Sequence, residues 1–196
     1  LLNCIYVFYV IYFAAGFVGR EITAKVKESG ILADAIEIGE GCSRINLKLK
    51  SIDGTEINGM GPEISPEKLE VLMTKLDALK EGDTLCLAGS IPSSMPGTIY
   101  SDICKKLDGR GIRIVVDATR DLLVNVLEYH PFLIKPNNHE LGEIFGAELK
   151  TRESVVPYAK KLQEMGAQNV LISMAGEGGV LAAADGGIYM SEAPKG

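Results

Sequence analysis

Residues 84–92 read Thr-Leu-Cys-Leu-Ala-Gly-Ser-Ile-Pro, and this stretch decides the fold class. The apolar run over residues 84–88 has the length and character of a buried strand. Gly89 and Ser90 then open a loop rich in Gly, Ser and Pro, and the pattern predicts a helix near residues 98–107. A short apolar strand followed by a glycine loop and a helix is the unit that builds a parallel sheet.

The same order recurs on both sides of this stretch. Apolar strands of four to six residues separated by helices predict an α/β fold with a mostly parallel sheet covered on both faces. The predicted strands are 112–116, 132–134, 170–173 and 180–183, and the predicted helices are 19–29, 66–80, 138–145 and 154–165. The loops after parallel strands meet at one edge of the sheet, where ligands bind. We therefore expect the functional residues in the loops that begin at Gly89, Asp117, Lys135 and Met174.

The composition excludes several classes of function. The chain has 20 basic and 26 acidic residues, a net charge of -6, which argues against nucleic-acid binding over a broad basic surface. Its four cysteines form no CxxC pair and its two histidines lie far from them in sequence, so no metal-binding spacing is present. We expect reduced, structural thiols in a cytoplasmic protein.

The first 19 residues contain no charged side chain. Three interpretations remain open: a buried strand, which the β-branched and aromatic residues 5–13 favour; a damaged or out-of-register segment; and a membrane helix, for which the length suffices. The membrane helix is the least favoured of the three.

Residues 44–50 alternate in polarity at every position, which is the period of a β-strand. One face carries Arg44, Asn46, Lys48 and Lys50, and Asp53-Gly54 predicts a tight turn into a second strand over 55–58. Together with residues 35–38 this hairpin is predicted to form a small separate sheet. Its cationic face suits a phosphate, although a solvated strand face shows the same pattern.

Three segments at the predicted sheet edge also suit a phosphorylated ligand. Gly89 and Ser90 permit close approach and donate hydrogen bonds, as they would in an ordinary tight turn. Lys135 precedes a helix start, and Glu140 could hold a water of Mg²⁺ or form a capping box with Asn137. The glycine-rich loop at 173–179 is a weak indication by itself, since it is neither a Walker loop nor GxGxxG.

Five segments in this order resemble the ribokinase-like sugar kinases of the PfkB family, in particular its 1-phosphofructokinase branch. They are SRINLKLKS (43–51), TEINGMGPEIS (55–65), LAGSIPSSMP (87–96), FLIKPNNHEL (132–141) and VLISMAGEGGVL (170–181). The resemblance covers roughly residues 14–195 and implies a three-layer α/β/α sandwich, with a core formed by residues 1–33 and 60–196. Residues 34–59 would form a β-sheet lid that dimerises with a second copy.

The resemblance also implies a reaction: ATP, with Mg²⁺, phosphorylates fructose 1-phosphate to fructose 1,6-bisphosphate. Two alternatives stay open, a non-catalytic phosphosugar- or nucleotide-binding and dimerisation module, and a tagatose-6-phosphate kinase. The implied substrate-binding residues are Arg44, Asn46, Lys48, Gly89 and Ser90. The implied ATP-binding residues are Lys135, Asn137, Glu140, Ser173, Ala175, Gly176 and Gly178, with Glu140 reaching the metal through water.

The sequence departs from the family pattern in four respects. Residues 1–13 do not resemble it, no Gly-Gly-Lys-Gly-x-Asn motif is present, and Ala175 stands where the family usually has a second glycine. The Gly-Ala-Gly-Asp motif, which supplies the general base and the anion hole, is also missing. We therefore expect a fragment without a catalytic residue and without turnover of its own.

Overall fold

A computed structural model describes residues 7–49, 55–89, 91–119 and 121–194. The chain forms two compact units. The first unit contains residues 1–78 and 91–96, and the second contains residues 79–90 and 97–196.

The first unit is built on a strand–helix–strand crossover. Its elements are β1 (Tyr9–Ala15), α1 (Gly16–Glu28), β2 (Leu32–Ile38), β3 (Asn46–Leu49), β4 (Thr55–Asn58) and α2 (Pro66–Lys75). Strands β1 and β2 pair in parallel, with Tyr9 opposite Leu32 and Ala15 opposite Ile38. A buried hydroxyl, Ser43, accepts a hydrogen bond from the backbone N–H of Ala15 at 2.9 Å. This bond satisfies a donor at the strand end that would otherwise be buried without a partner.

The described part of the uncharged N-terminal run is a strand, not a helix. Strand β1 is buried only at its end, at Ala14 and Ala15, whereas Val7 and Phe8 are exposed. Of the three interpretations, the strand is therefore the one that the structure supports for residues 9–15. None of the helices in the described ranges combines the length and the apolar character that crossing a bilayer requires.

The prediction that residues 35–38 join the hairpin is wrong. These residues belong to β2 and pair with β1, while β3 and β4 form a two-stranded antiparallel sheet of their own. The alternation of side chains identified each strand correctly but carries no information about which strand is its partner. The predicted turn at Asp53-Gly54 lies outside the described residues.

Helix α2 begins where its capping residues predict. Ser65 accepts a hydrogen bond from the backbone N–H of Lys68, and Pro66 occupies the first turn. The α-helix ends at Lys75, not near Lys80 as expected, and a single 3₁₀ turn (Leu76–Ala78) follows it. Leu76 is buried, so the tightened last turn directs an apolar side chain into the core.

The second unit contains a six-stranded sheet in the order β10-β9-β8-β7-β6-β5. The strands are β5 (Thr84–Ala88), β6 (Arg113–Asp117), β7 (Leu133–Ile134), β8 (Asn169–Ser173), β9 (Gly179–Ala182) and β10 (Ile188–Ser191), and the helices are α3 (Ile99–Leu107), α4 (Asp121–Val124), α5 (Asn138–Phe145) and α6 (Arg152–Glu164). Strands β5 to β8 are mutually parallel, and β9 and β10 are antiparallel to their neighbours. The predicted α/β class is confirmed, and the predicted strands and helices of this unit occur in the expected order; α4 and β10 were not predicted.

The two faces of this sheet differ in burial. One face is buried, and its side chains are Leu87, Ile114, Val116, Ile134, Val170, Ile172, Val180 and Ala182. The opposite face, which carries Cys86, Asp117 and Lys135, is half-buried or exposed. The core of this unit therefore lies on one side of the sheet, and the polar groups considered below lie on the other.

Candidate functional sites

The carboxyl ends of the parallel strands bring four predicted loops together at one edge of the sheet. Ala88 pairs with Asp117, so Gly89 begins its loop beside the end of β6. The backbone N–H of Lys135 donates to Val116 O at 2.9 Å, and Asn137 forms a parallel bridge with Ser173. The end-of-strand rule therefore predicted this neighbourhood correctly. Ser90 lies outside the described residues.

The charged centre of this edge is an ion pair between Lys135 and Asp117. Lys135 Nζ lies 3.1 Å from Asp117 Oδ2, and the two side chains are 38% and 43% exposed. Burial raises the pKa of the neighbouring Cys86 thiol, the Asp117 charge adds to that effect, and the Lys135 charge opposes it. The cation is thus held at the sheet edge by a carboxylate while it remains open to solvent.

Gly89 has a positive φ of 102°, a conformation that side chains disfavour. The hydroxyl of Tyr100, which is only 8% exposed, donates to the carbonyl oxygen of Gly89 at 3.1 Å. Burial raises the pKa of this phenol, so it remains a donor at neutral pH. Helix α3 therefore fixes the backbone at the start of the predicted sugar-binding loop.

Asn137 and Glu140 form the capping box that the sequence allowed. The backbone N–H of Glu140 donates to Asn137 Oδ1, and the backbone N–H of Asn137 donates to Glu140 Oε2, both at 2.8 Å. A carboxylate oxygen has two lone pairs, so this structural role leaves Glu140 able to accept from a metal-bound water. The box places the half-exposed carboxylate at the N-terminus of α5, five residues after Lys135.

The loop after β8 has the tight geometry that its glycines indicate. Ala175 adopts φ = 47°, a left-handed conformation that is strained for a residue with a side chain. Gly178 has φ = 90°, and a Cβ atom there would lie 2.0 Å from the carbonyl oxygen of Ser191. Gly176 has open space around it. Packing against the end of β10 and the residues after it therefore explains Gly178, whereas no contact with the described residues requires glycine at position 176.

In the first unit, the polar face of the β3–β4 hairpin is not purely cationic. Arg44 Nε donates to Asn46 Oδ1 at 2.7 Å, and Lys48 Nζ lies 2.9 Å from Glu56 Oε1. Lys50 lies outside the described residues. The sequence-based analysis considered the cations of this face and missed Glu56. It expected a functional loop to begin at Asp117 but did not predict that Asp117 pairs with Lys135.

Comparison with known proteins identifies a family that this chain matches. The model of the pfkB family carbohydrate kinases matches residues 6–196. The match includes residues 6–13, so the expectation that residues 1–13 do not resemble the family is wrong from residue 6 onward. Within this segment, the residues from Tyr9 onward belong to β1.

Individual relatives agree with this family. The chain is 43% identical to the 1-phosphofructokinase of Bacillus subtilis, over 94% of the chain and 60% of the relative. It is 32% identical to the D-tagatose-1-phosphate kinase of Bacillus licheniformis, over 85% of the chain and 55% of the relative. A crystal structure of a phosphofructokinase candidate from Staphylococcus aureus shares 37% identity with a TM-score of 0.74, covering 88% of this chain and 56% of that one.

The chain thus spans about three fifths of the length of the Bacillus subtilis relative. The similarity in three dimensions confirms the ribokinase-like fold, and the family match extends over the whole described sheet. The chain therefore belongs to the pfkB family of carbohydrate kinases.

Proposed function

We propose that the chain forms part of a kinase that transfers the γ-phosphoryl group of ATP to fructose 1-phosphate and yields fructose 1,6-bisphosphate. The observation that carries the proposal is the convergence of Gly89, Asp117, Lys135 and Ser173 at the carboxyl ends of four adjacent parallel strands. An edge of this kind, with a cation beside a glycine-rich loop, suits a nucleotide phosphate. The Bacillus subtilis relative supports the choice of sugar.

The residues at this edge fit ATP and Mg²⁺. The Lys135 ammonium would neutralise phosphate oxygens, and Gly176 leaves room for a close approach of the ligand to the backbone. Glu140 would accept from a metal-bound water, since Mg²⁺ retains most of its waters when it binds to proteins. When bound, the metal would offset the charge that develops on the transferred group.

The hairpin residues Arg44, Asn46 and Lys48, with Gly89 and Ser90, are proposed to hold the sugar phosphate. Strands β3 and β4 would then act as a lid, without the residues of β2 that the predicted lid segment 34–59 included. Tagatose phosphates remain an alternative substrate class, which the Bacillus licheniformis relative keeps open. A cytoplasmic location is proposed with this activity, since ATP and sugar phosphates are found there.

The test is a calorimetric titration of the 196-residue chain with ADP, ATP, fructose 1-phosphate and, as a control, unphosphorylated fructose. We expect binding of the phosphorylated ligands and none of fructose. We expect no turnover in a coupled assay for ADP release, because the sequence contains no Gly-Ala-Gly-Asp motif. Failure of every phosphorylated ligand to bind would reject the proposed sites, and sugar-dependent ADP release would reject the proposed inactivity.

A second candidate function is dimerisation through the hairpin. Its apolar face is exposed in the single chain: Ile45, Leu47 and Ile57 are 56%, 50% and 58% exposed. An isolated two-stranded hairpin is marginally stable in water, so burying this face against a second copy would stabilise it. Sedimentation should show a dimer that the Leu47→Lys variant dissociates; a monomer at high concentration would contradict this role. A dimer whose melting temperature no ligand shifts would favour a non-catalytic module.

A further inference from the structure

The polar face of the β3–β4 hairpin combines cations with a carboxylate. Lys48 is the cross-strand partner of Glu56, and Asn46 is the partner of Asn58. Residues two apart on a strand share a face, so these four side chains lie on the same side of the hairpin, with Arg44 in line with them. The charged groups of this described face are Arg44, Lys48 and Glu56, two positive and one negative, for a net charge of +1.

The Glu56 carboxylate forms an ion pair with Lys48. Lys48 Nζ and Glu56 Oε1 lie 2.9 Å apart, with the side chains 75% and 44% exposed. The hydrogen bond from Lys48 lowers the pKa of Glu56, and a smaller contribution comes from Asn58, so Glu56 is ionised at neutral pH. Any anion that approaches Lys48 therefore also meets a negative charge only a few ångströms away.

The two possible kinds of anion respond differently to this arrangement. Sulfate carries no proton at neutral pH, so it cannot donate to Glu56 and is repelled by it; a single repulsion of this kind in water weakens binding by about fivefold. A phosphorylated sugar carries hydroxyl groups beside its phosphate. One hydroxyl can donate to the carboxylate while the phosphate accepts from Lys48, which turns the repulsive group into a hydrogen-bond partner.

We infer that Glu56 is a specificity-determining residue of the proposed substrate site: it selects phosphorylated polyols, which carry hydroxyl donors, over anions without a hydroxyl donor, such as sulfate. The inference rests on the proposed function, because it assumes that the hairpin binds the sugar phosphate. It assigns a ligand contact to a residue on the second strand of the hairpin, which the cationic pattern of the first strand does not include. Selection of this kind combines attraction of one ligand with repulsion of its competitor.

The test compares two ligands on matched variants of the 196-residue chain. Sulfate and fructose 1-phosphate are titrated at neutral pH into the unmodified chain, Glu56→Gln, Glu56→Asp and Glu148→Gln. Glu148 is a suitable control, because it forms a similar but more exposed pair with Lys150 at 2.8 Å in the other unit. Glu56→Gln should bind sulfate about fivefold more tightly and fructose 1-phosphate no more tightly. Glu56→Asp should retain most of the selectivity, and Glu148→Gln should leave both affinities unchanged.

The ratio of the two affinities separates selectivity from a structural role. A change in hairpin stability alters both affinities by the same factor, so an unchanged ratio in Glu56→Gln overturns the inference while the proposed function stands. If the unmodified chain binds neither ligand, the proposed substrate site fails and the inference fails with it. Because Glu56 is exposed, the variant is expected to fold, and its melting temperature provides the check.

Discussion

Lys135 Nζ lies 3.1 Å from Asp117 Oδ2, so the ends of two neighbouring parallel strands hold a cation and an anion in contact. The pair is open to solvent on the less buried side of the sheet, where a ligand can reach the ammonium group. An exposed pair of this kind contributes little to folding, at most about 1 kcal/mol. Its main effect is to keep the lysine at the edge where the loops converge.

Replacing Lys135 with Met should weaken the binding of ADP to the chain by about 10-fold or more. A hydrogen bond between charged groups is worth about 1.5–3 kcal/mol, and the variant also leaves Asp117 to repel the phosphates. The measurement is a calorimetric titration. Lys150→Met, at an exposed position distant in sequence from the strand ends, is the control and should bind ADP as before. Equal affinities for both variants would exclude Lys135 from the nucleotide site.

The first unit allows a prediction about pH. Asp34 on β2 accepts hydrogen bonds from the Tyr9 hydroxyl and from Lys75 Nζ, the latter at 2.7 Å. The hydrogen bond from Lys75, followed by that from Tyr9, lowers the pKa of Asp34 in the folded state. A lowered carboxyl pKa stabilises the fold above the unfolded value of about 4, and this contribution is lost as the pH falls through the folded value.

Asp34→Asn should therefore reduce the free energy of unfolding by about 1 kcal/mol at pH 7 and much less at pH 3. Urea denaturation at the two pH values measures the difference. Glu28→Gln, which removes a more exposed partner of Lys25, should have almost no effect at either pH. A loss of stability in Asp34→Asn that is the same at both pH values would show that packing, and not the charge, is responsible.

Ala175 is a position where the backbone favours a different residue. Its φ of 47° costs a non-glycine residue about 1–2 kcal/mol, while glycine costs about 0.5–1 kcal/mol in chain entropy. Ala175→Gly should therefore raise the free energy of unfolding by about 0.5 kcal/mol. Ala24→Gly, on the exposed side of α1, is the contrasting control and should lower it by about 1 kcal/mol. Chemical denaturation of both variants measures the sign of the change in the free energy of unfolding. A loss of stability in Ala175→Gly would contradict the backbone strain inferred at this position.

The sequence predicts which residues form helices and strands better than it predicts which strands pair with each other. Helix α5 occupies residues 138–145 as predicted, because Asn137 and the left-handed Gly146 mark its two ends unambiguously. Strand β2 was assigned to the wrong sheet, because a period of two shows that a segment is a strand but not which strand lies beside it. Pairing is decided by the α1 crossover and by burial, which the local pattern does not contain.

The candidate sites show the same limit. The basic residues of the sites follow from motifs, but their acidic partners, Glu56 and Asp117, depend on the register between strands. Lys48 faces Glu56 because Leu49 pairs with Thr55, and the alternation of polarity within each strand does not determine this register. Distances between charges therefore require the folded chain, even where the residue types are evident from the sequence.

The glycine-rich loop allows packing and ligand contact to be separated with two similar substitutions. In Gly178→Ala the new Cβ atom would lie 2.0 Å from Ser191 O at a φ of 90°, so we expect a loss of several kcal/mol in the free energy of unfolding. Gly176→Ala meets nothing within 4 Å and should change stability by no more than about 0.5 kcal/mol. The expected difference lies in binding: Gly176→Ala should weaken ADP about 10-fold if a phosphate approaches this backbone closely. Chemical denaturation measures the stability of each variant, and calorimetry measures its affinity for ADP. Unchanged ADP binding by a stable Gly176→Ala variant would remove this loop from the proposed nucleotide site, because its folding does not require glycine there.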